Sequence, residues 1–151
     1  MTLTTIWLLP LVSAVLVAFM PPRLAKWMGV LAAVVTLGIA GGVAFAFAPS
    51  VHGYQFTEQV PWIPQLNVFY HLGVDGISIW LVVLNALLTV IAVLATPVTM
   101  RNANRFIALM LAMSAGMAGV FLAVDLVLFY VFWEAMLIPA YFLLWLFGEG
   151  E

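Results

Sequence analysis

At 151 residues the chain has the length of one soluble domain, but its composition excludes one. Hydrophobic residues make up 67% and charged residues only 7%, against roughly 25% charged in a soluble domain, so the bilayer is the solvent for most of the chain. The net charge of −2 with no basic run argues against a nucleic-acid partner. The absence of Cys removes disulfides, thiolate catalysis, iron–sulfur ligation and every cysteine zinc site.

A crossing helix needs about 20 predominantly apolar residues, and the chain offers five such runs. The first, 3–20, ends at Pro21-Pro22. No positive charge precedes it and the basic residues follow it, the reverse of a secretory signal, so it is expected to stay in the mature protein. The second run, 28–48, ends at Pro49. The third, 77–96, opens after Asp75, a good N-cap, and closes at Pro97. The stretch 106–147 is apolar apart from Asp125 and Glu134. As one helix it would be about 63 Å long, twice the hydrocarbon thickness, so it divides into 106–124 and 126–147 with Asp125 at the surface between them. The expected fold is an all-α integral membrane bundle of five spans forming a single domain. Arg23, Lys26, Arg101 and Arg105 all fall in the first–second and third–fourth connections. Those connections are therefore cytoplasmic, with the N-terminus outside, an arrangement that suits a bacterial inner membrane.

Between the second and third spans, residues 49–72 form the one sizeable polar piece, with Tyr54, Phe56, Trp62, Phe69 and Tyr70 suited to the headgroup level. It reads as an external interfacial loop, or alternatively as a docking surface for a neighbouring subunit. His71 and Asp75 read as an interfacial anchor and a helix cap; with His52 the only other imidazole, no metal cluster is expected. Small residues at Gly38-x-x-x-Gly42 and at Ser114, Gly116, Ala118 and Gly119 let helices approach closely. Met110, Met113 and Met117 read as packing filler. No G-x-G-x-x-G, Walker A or H-E-x-x-H motif is present, so no cofactor site can be located on the chain.

Glu134 is the residue that carries chemistry. It lies about 12 Å into the last span, close to the bilayer middle, where a charged side chain costs at least ~2.5 kcal/mol on insertion scales. A carboxyl that is charged beside a cation and neutral without one is a proton-binding switch; the bland alternative is a protonated Glu acting as interhelical glue. Pro139, five residues on, leaves a carbonyl near Ala135 or Met136 without its usual donor, and so could kink the helix and admit water. Asp125 reads as a loop charge outside any relay.

The run VDLVLFYVFWEAMLIPAYFL beginning at Val124 resembles the fifth-helix signature of the subunit M (chain 4) family of proton-translocating NADH:quinone oxidoreductase, respiratory complex I. The string Gly73-Val-Asp-Gly-Ile-Ser78, opening the third span, is similar to that family's motif at the same place. The resemblance implies an antiporter-like membrane-arm subunit that takes part in proton translocation while electrons pass from NADH to quinone. It implies that Glu134 is the fifth-helix glutamate, which in the family pairs with a lysine on a later helix. It further implies that NADH, FMN, iron–sulfur clusters and quinone are bound by other subunits, with no redox centre here. The family has about fourteen spans, so the chain corresponds to its N-terminal part, truncated relative to the family. No lysine follows Lys26, so the partner of Glu134 is not on this chain and the 151 residues alone are expected not to pump. A subunit of a multisubunit sodium/proton antiporter and a non-transporting membrane scaffold are the other readings.

Overall fold

A computed structural model describes residues 1–148. It contains five helices, α1 (Thr2–Ala18), α2 (Pro22–Ala46), α3 (Ser78–Ala95), α4 (Ala103–Leu122) and α5 (Leu126–Phe147). Between α2 and α3 runs an antiparallel hairpin of β1 (Gln55–Ile63) and β2 (Val68–Val74), joined through a 3-10 turn at Pro64–Leu66. The boundaries follow from elementary chemistry. Pro22 opens α2, where its missing N–H costs nothing. Pro97 ends α3 by holding Thr96 extended. Asp125 caps α5, its Oδ1 accepting from the amides of Val127 at 2.8 Å and Leu128 at 3.2 Å.

Helix α4 is the hub and touches all four other helices. Its small residues account for this. A Cβ on Gly116 would lie 2.5 Å from the Cβ of Met136, and one on Gly119 would collide with the ring of Phe132. The Gly38-x-x-x-Gly42 pair behaves differently from the expectation placed on it: nothing lies within 4 Å of a Cβ at either position, so among the described residues it seats no helix. Gly29 on α2 makes the close approach instead, against Ile107 and Val93. Helices α2 to α5 are long and apolar enough to cross a membrane, with α1 slightly shorter. The protein is an integral, multi-pass membrane protein.

The 49–72 segment, expected as a loop, is largely a hairpin. Its backbone groups lie over an apolar core, where unpaired N–H and C=O would be costly, and pairing β1 with β2 satisfies them. Glu58 sits opposite Leu72 and Val60 opposite Tyr70, with an irregularity between Gln55 and Glu58 where Phe56 takes a positive φ. Leu72 and Val74 are fully buried with Leu3, Ile6 and Leu122, so the hairpin seals one end of the bundle. At the other end Lys26 Nζ donates to the carbonyls of Leu94 and Thr96, each at 2.9 Å, and Asn104 Nδ2 donates to Ala18 O at 2.8 Å. All four basic side chains belong to that end, with Lys26 facing the negative pole of α3.

Candidate functional site on the outer face of helix α5

The rotational setting of α5 decides what Glu134 can do. Phe132, Met136 and Pro139 face inward: Phe132 meets Gly119 and the ring of Trp7, with centroids 5.1 Å apart, and Met136 meets Gly116. Pro139 is buried in the same stripe. At 3.6 residues per turn, Glu134 points about 140–160° away from each of these three. It is exposed on the side of the bundle opposite α4, near the middle of the helix, with Tyr130 one turn earlier beside it. Among the described residues it is the only carboxylate within a helix, and it takes part in no ion pair.

Pro139 leaves α5 continuous through Phe147 but supplies no N–H, so the carbonyl of Ala135 has no donor one turn on. A free acceptor therefore adjoins Glu134 in the chain. Inward of Pro139 lies an apolar groove of about 900 Å³ between α1, α4 and α5, roofed by Pro61 and Trp62 of β1. Structure thus separates the two residues singled out from the sequence: Glu134 faces outward, and Pro139 faces this groove.

Two polar clusters secure the hairpin above the site, and neither is evident from the sequence. Glu58 accepts from the amides of Leu3 at 2.9 Å and Thr4 at 3.3 Å, and from the Thr4 hydroxyl. The Tyr70 hydroxyl adds Thr4 Oγ1 at 2.8 Å and accepts from Trp7 Nε1 at 3.0 Å. Glu58 therefore caps α1 from 54 residues away, and no local signal announces such a pairing. Asp125 is more than a loop charge, because its Oδ2 also accepts from the Phe69 amide at 3.1 Å, tying β2 to the start of α5. Val124 N donates to His71 O at 2.9 Å, extending the same seam. The Phe69 amide above all, then those of Leu128 and Val127 with the positive potential of His71, hold the Asp125 carboxyl below the usual carboxylate range against a desolvation cost.

Asp75 receives Ile77 N at 2.9 Å and Ser78 N at 2.7 Å while its own amide donates to Ser78 Oγ at 3.0 Å, a reciprocal cap at the start of α3. The amides of Ser78 and Ile77 lower its pKa from the ordinary value. His71 is engaged through its backbone in the seam to α5. Among the described residues no group of three or more His, Asp or Glu could hold a metal ion.

No family model matches the sequence. A curated relative, NADH-quinone oxidoreductase subunit M of Mycobacterium tuberculosis, is 38% identical across 98% of this chain and 33% of its own length. The chain resembles the N-terminal part of subunit M. The F(420)H(2) dehydrogenase subunit M of Methanosarcina mazei is 41% identical across 95% of the chain and 30% of the relative. Among solved structures, respiratory complex I from Thermus thermophilus with bound NADH matches with a TM-score of 0.81 and 31% identity, over 97% of this chain and 29% of that one. The Mrp complex from Dietzia sp. DQ12-45-1b shares the fold with a TM-score of 0.78 at 23% identity, over 98% of this chain and 16% of that one. The chain thus spans about a third of the length of the curated relatives it matches.

Proposed function

We propose that these residues form part of a membrane-arm subunit of an NADH:quinone oxidoreductase, with Glu134 as a mid-membrane carboxylate that takes up and releases a proton. The observation that carries this reading is the position of Glu134, the one helix-borne carboxylate among the described residues, aimed away from the packed stripe of α5. A neighbour on that face can supply a cation and water. Movement of that cation toward and away from the carboxylate couples proton release and uptake to the rest of the complex. The cation is a lysine outside these 151 residues, and Pro139 contributes by freeing the Ala135 carbonyl to hold water on the path. NADH, FMN, iron–sulfur clusters and quinone bind to other subunits, so the chain's own chemistry is proton transfer. The four basic residues support an orientation with their end of the bundle cytoplasmic and the hairpin outside, in a bacterial inner membrane.

The test is Glu134→Gln in the assembled complex. Proton pumping and coupled quinone reduction fall, while NADH oxidation by an artificial acceptor persists. Unchanged pumping would remove Glu134 from the path. The shared fold with the Mrp complex favours a second reading as a sodium/proton antiporter subunit, which predicts ion exchange with no electron donor present.

A further inference from the structure

The face of α4 turned away from α5 carries a polar cluster that the proton path does not use. Asn85 and Thr89 of α3 meet Ser114 of α4. Asn85 Nδ2 donates to Ser114 O at 3.0 Å and to Ser114 Oγ at 3.3 Å, and Thr89 Oγ1 lies 2.7 Å from both Ser114 Oγ and Asn85 O. Each hydroxyl has one proton, so the order that satisfies every donor runs from Asn85 Nδ2 to Ser114 Oγ, on to Thr89 Oγ1, and back to Asn85 O. One acceptor is left over. Among the described residues Asn85 Oδ1 takes part in no hydrogen bond, and no buried side-chain polar atom there lacks a partner, so Asn85 Oδ1 reaches open space.

That space is a trough of about 440 Å³ between α3 and α4, floored by Asn85, Thr89 and Ser114 and flanked by Leu88 and Met113. Asn85 is only 9% exposed, whereas Leu84 and Leu88 at the rim are 48% and 55% exposed. The trough therefore opens sideways into the membrane with an acceptor at its base. Asn85 is the eighth of the 18 residues of α3 and Ser114 the twelfth of the 20 of α4, so the acceptor sits at mid-depth. Headgroups do not reach that depth, and acyl chains have no donor to offer. A lone water would find too few partners, since it needs two to four and the ring has already used most lone pairs.

We infer that the α3–α4 trough seats a transmembrane helix of a neighbouring subunit that presents a hydrogen-bond donor, such as a Ser, Thr or Asn side chain, to Asn85 Oδ1. Complementarity of donor to orphan acceptor identifies the occupant, because an unmet polar group in hydrocarbon is costly. Ser114 lies about 140–160° round α4 from Gly116 and Gly119, which seat α5. The segment that directly follows α5 in the chain would leave from the opposite side of the hub, which favours a separate subunit as the source. The inference rests on the assembled-complex reading, but it does not require Glu134 to carry a proton, so the two fail independently.

The experiment places a photo-activated benzoylphenylalanine at Leu88 or Met113 in the complete complex in its native membrane. The expected product joins this chain to another subunit, at a helix with a donor side chain within one turn of the adduct. In the Leu88 probe, Asn85→Leu should then lower the yield by about threefold, the size of a modest interhelical hydrogen bond in a membrane. Adducts to lipid only, to a second copy, to a later segment of the same polypeptide, or to a helix with no donor at that depth would each overturn the proposal. The adduct in the chain with native Asn85 decides the matter even if the Asn85 variant fails to fold.

Discussion

Asp125 closes two structures with one carboxylate. Its Oδ1 caps α5 and its Oδ2 holds the Phe69 amide of β2, so the α4–α5 turn and the hairpin are fixed to each other. Asp125→Ala should cost about 1 kcal/mol as a lost N-cap, with a further loss from the freed Phe69 amide, read as a lower unfolding midpoint in detergent. The pH dependence has a definite sign. The folded carboxyl titrates below its ordinary value, so its contribution is complete above that value and disappears as pH falls through the lower folded one. Acid titration of Asp125→Asn should show a flatter loss of stability below about pH 4 than the native chain; identical acid limbs would mean that the bond to Phe69 contributes nothing. Sequence alone placed a charge between two spans, because the length of the apolar run demanded a break there. It could not show Phe69 as a partner, since the contact spans 56 residues.

At the scale of elements, the breaks were legible and the rotations were not. Proline and length set where helices stop, and both are visible in the sequence. The facing of α5 is not, because it is apolar all round and its periodicity marks no preferred side. Gly116 and Gly119 decide it from the neighbouring helix, by admitting Met136 and Phe132 where larger side chains would collide. Gly119→Val should therefore push α5 away from α4, destabilising the bundle by about 1–3 kcal/mol as overpacking does and exposing the 123–125 connection to protease. Gly42→Val, whose Cβ meets open space, should leave the isolated chain close to native in both assays. The hairpin escaped the sequence for a related reason. Two prolines and a positive-φ Phe56 interrupt the alternation, and the buried Leu72 and Val74 are recognisable only once α1 and α4 lie above them.

For the whole molecule, the distribution of exposure is the strongest functional statement. One side of α4 is closed by α1 and α2, while α5 lies at the margin with most of its surface uncovered. In the lone bundle Glu134 is exposed on the face of α5 turned away from α4, toward the lipid. A hydrophobic carbodiimide reacts with a carboxyl that it can reach from the lipid, so it should label α5 in the isolated chain, with the adduct at Glu134 and absent from Glu134→Gln. Under the proposed function, a neighbour in the assembled complex covers that face and brings a cation. Loss of lipid access should then slow the labelling. Mass analysis of the labelled peptide gives the comparison directly. Equal labelling rates in the two states would leave Glu134 a lipid-facing residue in the complex as well, and a proton carrier cannot work from there without a partner.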